Sequence, residues 1–192
     1  FRKVIARNGE KIIMHTSNFR KVKRVDDVIH VFCKIRDQID AKLLLVGDGP
    51  ERQHIEKLSR QLCRHEDVHF LGKQEAVEEL LAISDLFILP SASESFGLAA
   101  LEAMACQVPV ISTNTGGLPE INIHNETGFM ADVGDTAKMA TLAIDLLQDE
   151  SRLKQFKQNA YEQAQRFSIE KIVPMYEAYY EKVRTTSTTP IS

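Results

Sequence analysis

The chain has 192 residues, 43% of them apolar, and a formal net charge of −3 at pH 7. That length supports one domain with a full core, and the charge balance excludes a general nucleic-acid surface, which needs a strong basic excess. Any phosphate binding must come from a few local cations and backbone amides, and no apolar run is long enough to predict a membrane partner.

Residues 1–10, "FRKVIARNGE", have no apolar period and the chain starts without Met. They read as a linker entering from something upstream, so the chain is expected to be a fragment of a longer protein. "KIIMHTS" (residues 11–17) is a strand, followed by a basic loop, "NFRKVKR". In "VDDVIHVFCKIRD" the apolar residues Val25, Val28, Ile29, Phe32 and Ile35 recur at helical spacing. "AKLLLVG" (41–47) is a continuous apolar run of the kind found in buried parallel strands. "GDGP" turns the chain into a polar helix, 51–63; "VHFLG" (68–72) is a strand and 75–83 a helix. "DLFILP" (85–90) is a buried strand, "LAALEAMAC" (98–106) a helix of strong formers and "VPVIST" (108–113) a strand. Residues 125–133 hold a turn and a short strand. Helices follow at 136–147, 151–166 and 169–184, and "TTSTTPIS" at 185–192 is expected to be a disordered tail.

Strands alternating with helices predict an α/β fold: a Rossmann-like, doubly wound parallel sheet over residues 11–167, with a separate C-terminal helix at 168–184. In such sheets ligands bind beyond the carboxyl ends of the strands. That rule selects the loops 17–24, 47–50, 72–74, 91–97 and 114–120.

The loop "SASESFG" leads into the helix at Leu98. The first amides of a helix lack internal partners and, with the macrodipole, suit a phosphate. Gly97 removes a Cβ from their approach. Glu102 lies four residues after Leu98, on the same helix face, where it could accept from a ribose diol. Glu94, on the other side of the amides, could accept from a sugar. The spacing equally allows a solvated helix glutamate and an ordinary loop charge. Arg20, Lys21, Lys23 and Arg24 lie at the predicted ligand edge, where cations would neutralise a diphosphate; a solvated basic turn is the alternative. "GDGPER" lacks the third glycine of a dinucleotide fingerprint, Arg52 standing in its place. The two glycines of "TGGLPE" allow close approach of a ligand or partner domain, or make a plain turn.

Cys33, Cys63 and Cys106 are widely spaced with no C-x-x-C, and are expected to be buried, inert thiols of a cytoplasmic protein. The six histidines are scattered and read as structural or surface residues. No metal-ligand spacing occurs, so no metal or cofactor is expected.

The run E-S-F-G-L-A-A-L-E from Glu94 to Glu102, then "AMACQVPVIST" and "GGLPE", with "VGDGPER" and "FLG" in order before it, resembles the donor-site signature of retaining nucleotide-sugar glycosyltransferases of the GT-B fold, family 4 type. The likeness covers residues 11–184 and only the C-terminal half of such enzymes, which have two Rossmann-like domains facing a cleft. "HTSNFRKVKRVDDVI" and "FLGKQEAVEELLAISDLFILPSASESFGL" resemble those members that transfer N-acetylglucosamine from UDP-GlcNAc to L-malate in bacillithiol biosynthesis.

The resemblance implies roles residue by residue. Glu102 takes the ribose hydroxyls, Ser95, Phe96, Gly97 and Leu98 hold phosphate and sugar through their amides, and Glu94 binds the donor sugar. Lys23 matches the phosphate-binding lysine. Asn18 stands where the family usually has arginine, so Arg20 is the candidate to replace that charge. The backbone of Lys73 and Gln74 matches the base-contacting loop. Gln107 stands where glycine is usual, which puts the turn after that helix in doubt. The implied reaction is metal-independent transfer with retained configuration, and the catalytic candidates are Arg20, Lys23 and Glu94. The last helix resembles a segment that packs on the N-terminal domain, so Tyr176, Tyr179 and Tyr180 are expected to be partly exposed in this chain or satisfied by a second chain in a homo-oligomer; ordinary core contact is the alternative. Three readings compete with this one: another sugar or acceptor, a dinucleotide-dependent oxidoreductase, and a half-enzyme that binds UDP without turnover.

Overall fold

The computed structural model describes residues 2–63 and 65–186. Six strands form one parallel sheet: β1 (Lys11–Ser17), β2 (Ala41–Gly47), β3 (Val68–Gly72), β4 (Leu86–Leu89), β5 (Val110–Thr113) and β6 (Gly128–Ala131). Their order is β3-β2-β1-β4-β5-β6. β1 and β2 run in register from Lys11 opposite Ala41 to Ser17 opposite Gly47. The helices are α1 (Arg2–Ile5), α2 (Val25–Arg36), α3 (Arg52–Leu62), α4 (Val77–Ala82), α5 (Leu98–Ala105), α6 (Leu118–Ile121), α7 (Thr136–Gln148), α8 (Glu150–Ala164) and α9 (Ile169–Thr186).

The central strands are apolar on both faces because both faces are covered. Ile13, Leu43, Leu45 and Ile88 pack under α2 and α7, while Ile12, Met14, Leu44 and Phe87 pack under α5 and its neighbours. Each fully buried side chain of this size contributes roughly 1.5–3 kcal/mol. Among the described residues, no helix is long and apolar enough to cross a membrane.

Several expectations shift. β5 begins at Val110 because Pro109 has no N–H to give the ladder; its carbonyl instead accepts from Phe87. α1 was not expected. Its Arg2 reaches Asp85 at 2.7 Å, and the same carboxylate oxygen accepts from the Ile12 amide at 2.9 Å. Burial pushes the Asp85 carboxyl up, but those bonds, with the charges of Lys157 and Arg2, hold it below the usual range. The helix expected at 169–184 runs on to Thr186, so the predicted tail loses two residues to it; 187–192 lie outside the described residues.

The cysteine expectation is corrected at two of three positions. Cys33, on α2, and Cys63, capping α3, are joined by a disulfide. The two helices lie side by side and bring the Cα atoms to 5.8 Å, within disulfide span, across 30 residues of sequence. Cys106 remains a free, half-buried thiol, raised in pKa first by burial and then by Glu78 and Glu102.

Candidate functional site

The strand order reverses between β1 and β4, so the loops leaving these neighbours diverge and open a crevice at their carboxyl ends. β1 feeds the basic loop. Its Phe19 is wholly buried, and a short 3-10 turn at Lys21–Lys23 follows. β4 feeds the segment 90–97. The two loops are tied together where the Ala92 amide donates to the Val22 carbonyl at 2.8 Å.

That tie sets Lys23 against Glu94. The Lys23 Nζ lies 2.6 Å from Glu94 Oε2, and Ser91 Oγ donates to the same oxygen at 3.3 Å. The side chains are only 22% and 14% exposed, so the pair is shielded from bulk screening. They line a cleft of about 330 Å³ whose other walls include Asn18, Ser95, Phe96, Gly97 and Leu98. α5 starts at Leu98; the Ala100 and Leu101 amides donate to the Gly97 carbonyl, and the amides of Leu98 and Ala99 precede the first bond of the helix. A small anion placed there would meet a lysine, a helix N-terminus and a carboxylate at its margin.

The glycines of this region face packed protein, Gly97 the side chains of α6 and the glycine pair a neighbouring backbone. Gly97 has φ +94°, and a Cβ there would stand 2.7 Å from Leu118 Cδ2 on α6. Gly116 and Gly117 press on the backbone of Glu94 and Ser95, and the Gly117 amide donates to the Glu94 carbonyl at 3.0 Å. α6 and this glycine pair therefore form the bed of the Glu94 loop. Gly47 and Gly49 likewise lie against the carbonyls of Ser17 and Asn18.

Glu102 faces a neighbouring groove of about 390 Å³ between α4 and α5, with Glu75, Val77, Glu78, Leu81, Ala105 and Cys106. Its pKa is raised, first by burial and then by the charge of Glu78. Lys73 and Gln74 are exposed in the turn after β3, where the Gln74 side-chain Nε2 donates to the Leu71 carbonyl at 2.6 Å. Arg20 does not line the Lys23–Glu94 cleft. It lines a separate cavity with Lys21, Arg24, Asp26, Glu51 and His54. Gln107, the departure from the usual glycine, has φ +61°. The turn keeps the left-handed geometry for which glycine is preferred.

Ser91, Glu75 and Glu78 were not singled out from sequence. Ser91 stands three residues before Glu94, a spacing that brings a hydroxyl back onto a loop carboxylate. The two glutamates carry no local signal, because it is the packing of α4 on α5 that brings them to Glu102. Among the described residues, no group of three or more His, Cys, Asp or Glu could hold a metal ion.

The family model described as glycosyl transferases group 1 matches residues 1–163. The chain is 53% identical over 178 residues to the N-acetyl-alpha-D-glucosaminyl L-malate synthase of Bacillus anthracis, covering 92% of this chain and 47% of that protein. It is 31% identical over 146 residues to a 2-deoxystreptamine N-acetyl-D-glucosaminyltransferase of Niallia circulans, covering 74% and 38%. Among solved structures, Anabaena HepE in complex with UDP-glucose superposes with a TM-score of 0.84 at 25% identity, covering 96% of this chain and 51% of that one. The chain thus spans about half the length or less of the curated relatives it matches.

Proposed function

Because the chain belongs to the glycosyl transferases group 1 family, we propose that it is the donor-binding half of a retaining GT-B enzyme that transfers N-acetylglucosamine from UDP-GlcNAc to L-malate in bacillithiol biosynthesis. The observation that carries the reading is the placement of Lys23 and Glu94 across the first turn of α5, with Glu102 in the adjoining groove. A nucleoside diphosphate sugar is the ligand with a hydroxylated group at each end and a diphosphate between. The identity to the Bacillus anthracis protein supports the choice of sugar and acceptor.

In this reading the diphosphate rests on the amides of Ser95 to Leu98 and on Lys23. Glu102 accepts from the ribose, Glu94 from the sugar, and the backbone at Lys73 and Gln74 meets the base. Asn18 borders the diphosphate, and Arg20 adds positive charge from the flank of the same loop. The malate hydroxyl attacks the anomeric carbon from the face the diphosphate leaves. The bond from that carbon to the phosphate oxygen breaks, a bond to the malate oxygen forms, and the hydroxyl proton passes to the departing diphosphate. Charge grows on the leaving group as the bond breaks, so Lys23 contributes most in the transition state. No metal takes part in this scheme.

The remaining length of the relatives would supply the acceptor wall. α9 fits a surface facing it, since Ile169, Tyr176, Tyr179 and Tyr180 are each 60% exposed or more; a second copy of the chain is the other cover it could take. Alone, the chain binds UDP without turnover. A cytoplasmic location belongs to this reading, and the Cys33–Cys63 disulfide is the feature that opposes it, because reducing compartments keep most thiols free. The test is a product assay with the full-length enzyme. Malate should be glycosylated with the α-configuration of the donor retained, and release of UDP without a malate adduct would point to another acceptor.

A further inference from the structure

His15 lies within β1 and its side chain is wholly buried, 6.2 Å from the ring of Phe87 and 6.3 Å from that of Phe19. Its Nδ1 is 2.8 Å from the carbonyl oxygen of Ile88 on β4, and its Nε2 is 2.8 Å from Ser17 Oγ. A carbonyl can only accept, so Nδ1 carries the proton. Burial pushes the ring down to about 4, the Ile88 bond opposing this in part and the nearby Lys23 charge adding to it, so the ring is neutral at pH 7. Nε2 is therefore a bare acceptor, and the Ser17 hydroxyl must donate to it. With its proton committed, Ser17 Oγ accepts from the Phe19 amide at 3.3 Å. Each bond in the series has one possible direction.

The far end of the series is where the site loop needs support. Phe19 has φ +35°, a conformation unfavourable for a side chain of that size. On the β2 side the loop is held by backbone alone: Gly47 and Gly49 abut the Ser17 and Asn18 carbonyls, and the Glu51 amide donates to the Phe19 carbonyl at 3.0 Å. On the β4 side the Ala92 amide holds the end of the loop at Val22, and His15 supports its beginning. Asn18 and Lys23 flank this pinned residue and line the cleft.

We propose that His15 is a positioning residue for the donor diphosphate: the directed series from the Phe19 amide through Ser17 and His15 to the Ile88 carbonyl sets the loop that carries Asn18 and Lys23. The proposal rests on the donor-site reading above.

Two measurements on the chain test it. Two-bond nitrogen–proton correlation spectra of the ¹⁵N-labelled imidazoles at pH 7 should show His15 protonated at Nδ1 only; an Nε2–H or doubly protonated ring overturns the series. UDP titration then separates three variants. His15→Asn can keep the bond to Ile88 but loses the acceptor for Ser17. His15→Gln can place an acceptor near the Nε2 position. Ser17→Ala breaks the series at its middle. His15→Asn and Ser17→Ala should weaken UDP binding about three- to tenfold, the scale of one buried hydrogen bond, with His15→Gln within about twofold of the parent. If both His15 variants lower the melting temperature equally and leave UDP affinity unchanged, the residue is merely structural and the proposal fails. If the parent chain itself does not bind UDP, the donor reading fails, and the positioning role falls with it whatever the tautomer.

Discussion

Replacing Gly116 by alanine tests how the Glu94 loop is held. Gly116 has φ +57°, and an added Cβ would overlap the Glu94 carbonyl oxygen and stand 2.8 Å from its carbonyl carbon. The oxygen would stand 1.7 Å away, where carbon contacts ordinarily settle at ~3.5–4.0 Å, so the Glu94 peptide must retreat by more than ~1 Å. The obstacle is backbone, and a flexible side chain cannot swing away to relieve it. The left-handed backbone costs alanine roughly 1–2 kcal/mol and overpacking roughly 1–3 kcal/mol, a total of about 2–5 kcal/mol. For a domain of this size that lowers Tm by roughly 4–20 °C. The retreat also draws the Glu94 carboxylate away from Lys23, now 2.6 Å distant. A misplacement of about 1 Å costs on the order of a hundredfold in rate. Thermal unfolding of the chain and kcat/KM of the full-length enzyme give the two readouts. Gly9→Ala is the control, because Gly9 has φ +85° but nothing within 4 Å of an added Cβ; it should cost a little stability and leave kcat/KM intact. A Gly116→Ala enzyme with unchanged Tm and kcat/KM would refute the idea that the glycine pair seats the Glu94 loop.

Lys23→Ala in the full-length enzyme should lower kcat far more than donor affinity; an unchanged kcat would remove Lys23 from leaving-group stabilisation. Donor affinity should weaken as pH falls through a Glu102 pKa lying above the usual carboxylate range, and Glu78→Gln should move that midpoint down, since Glu78 is one cause of the rise. His15 gives an acid signature in stability. Its native pKa of about 4 lies below the ordinary histidine value of 6.5, so across that window the unfolded chain takes up a proton that the native ring refuses. Unfolding free energy is therefore full above pH 6.5 and falls as the pH drops towards 4, by up to about 3 kcal/mol. Denaturant titrations at pH 7 and pH 4.5 should show a smaller loss for His15→Gln than for the parent chain.

The fold is largely legible in the chain because the central strands are buried on both faces and carry short runs of apolar residues, although in the edge strand β3 Val68 alone is fully buried. "KIIMHTS", "AKLLLVG" and "VHFLG" have the observed bounds of β1, β2 and β3. What escaped is what periodicity does not encode. α6 is four residues, Leu118–Ile121, too short for a period, yet it is the wall that requires Gly97. α1 is a single turn held by Arg2 on Asp85, a contact 83 residues distant. The Cys33–Cys63 pairing follows from the packing of α2 on α3, which spacing alone cannot report. At the site, Lys23 and Glu94 could each be nominated from the loop rule, but their contact spans 71 residues and depends on β1 and β4 being neighbours. Of the two readings that "TGGLPE" allows, the plain turn holds at Gly116 and Gly117, while the space beside them is filled by the backbone of the Glu94 loop.

The most direct test of the donor-site claim is calorimetric titration of this chain with UDP, UDP-N-acetylglucosamine and NAD, beside a Glu102→Ala variant. UDP and UDP-N-acetylglucosamine should bind, NAD should not, and the variant should lose UDP binding. Binding of NAD, or UDP binding indifferent to Glu102, would contradict that claim.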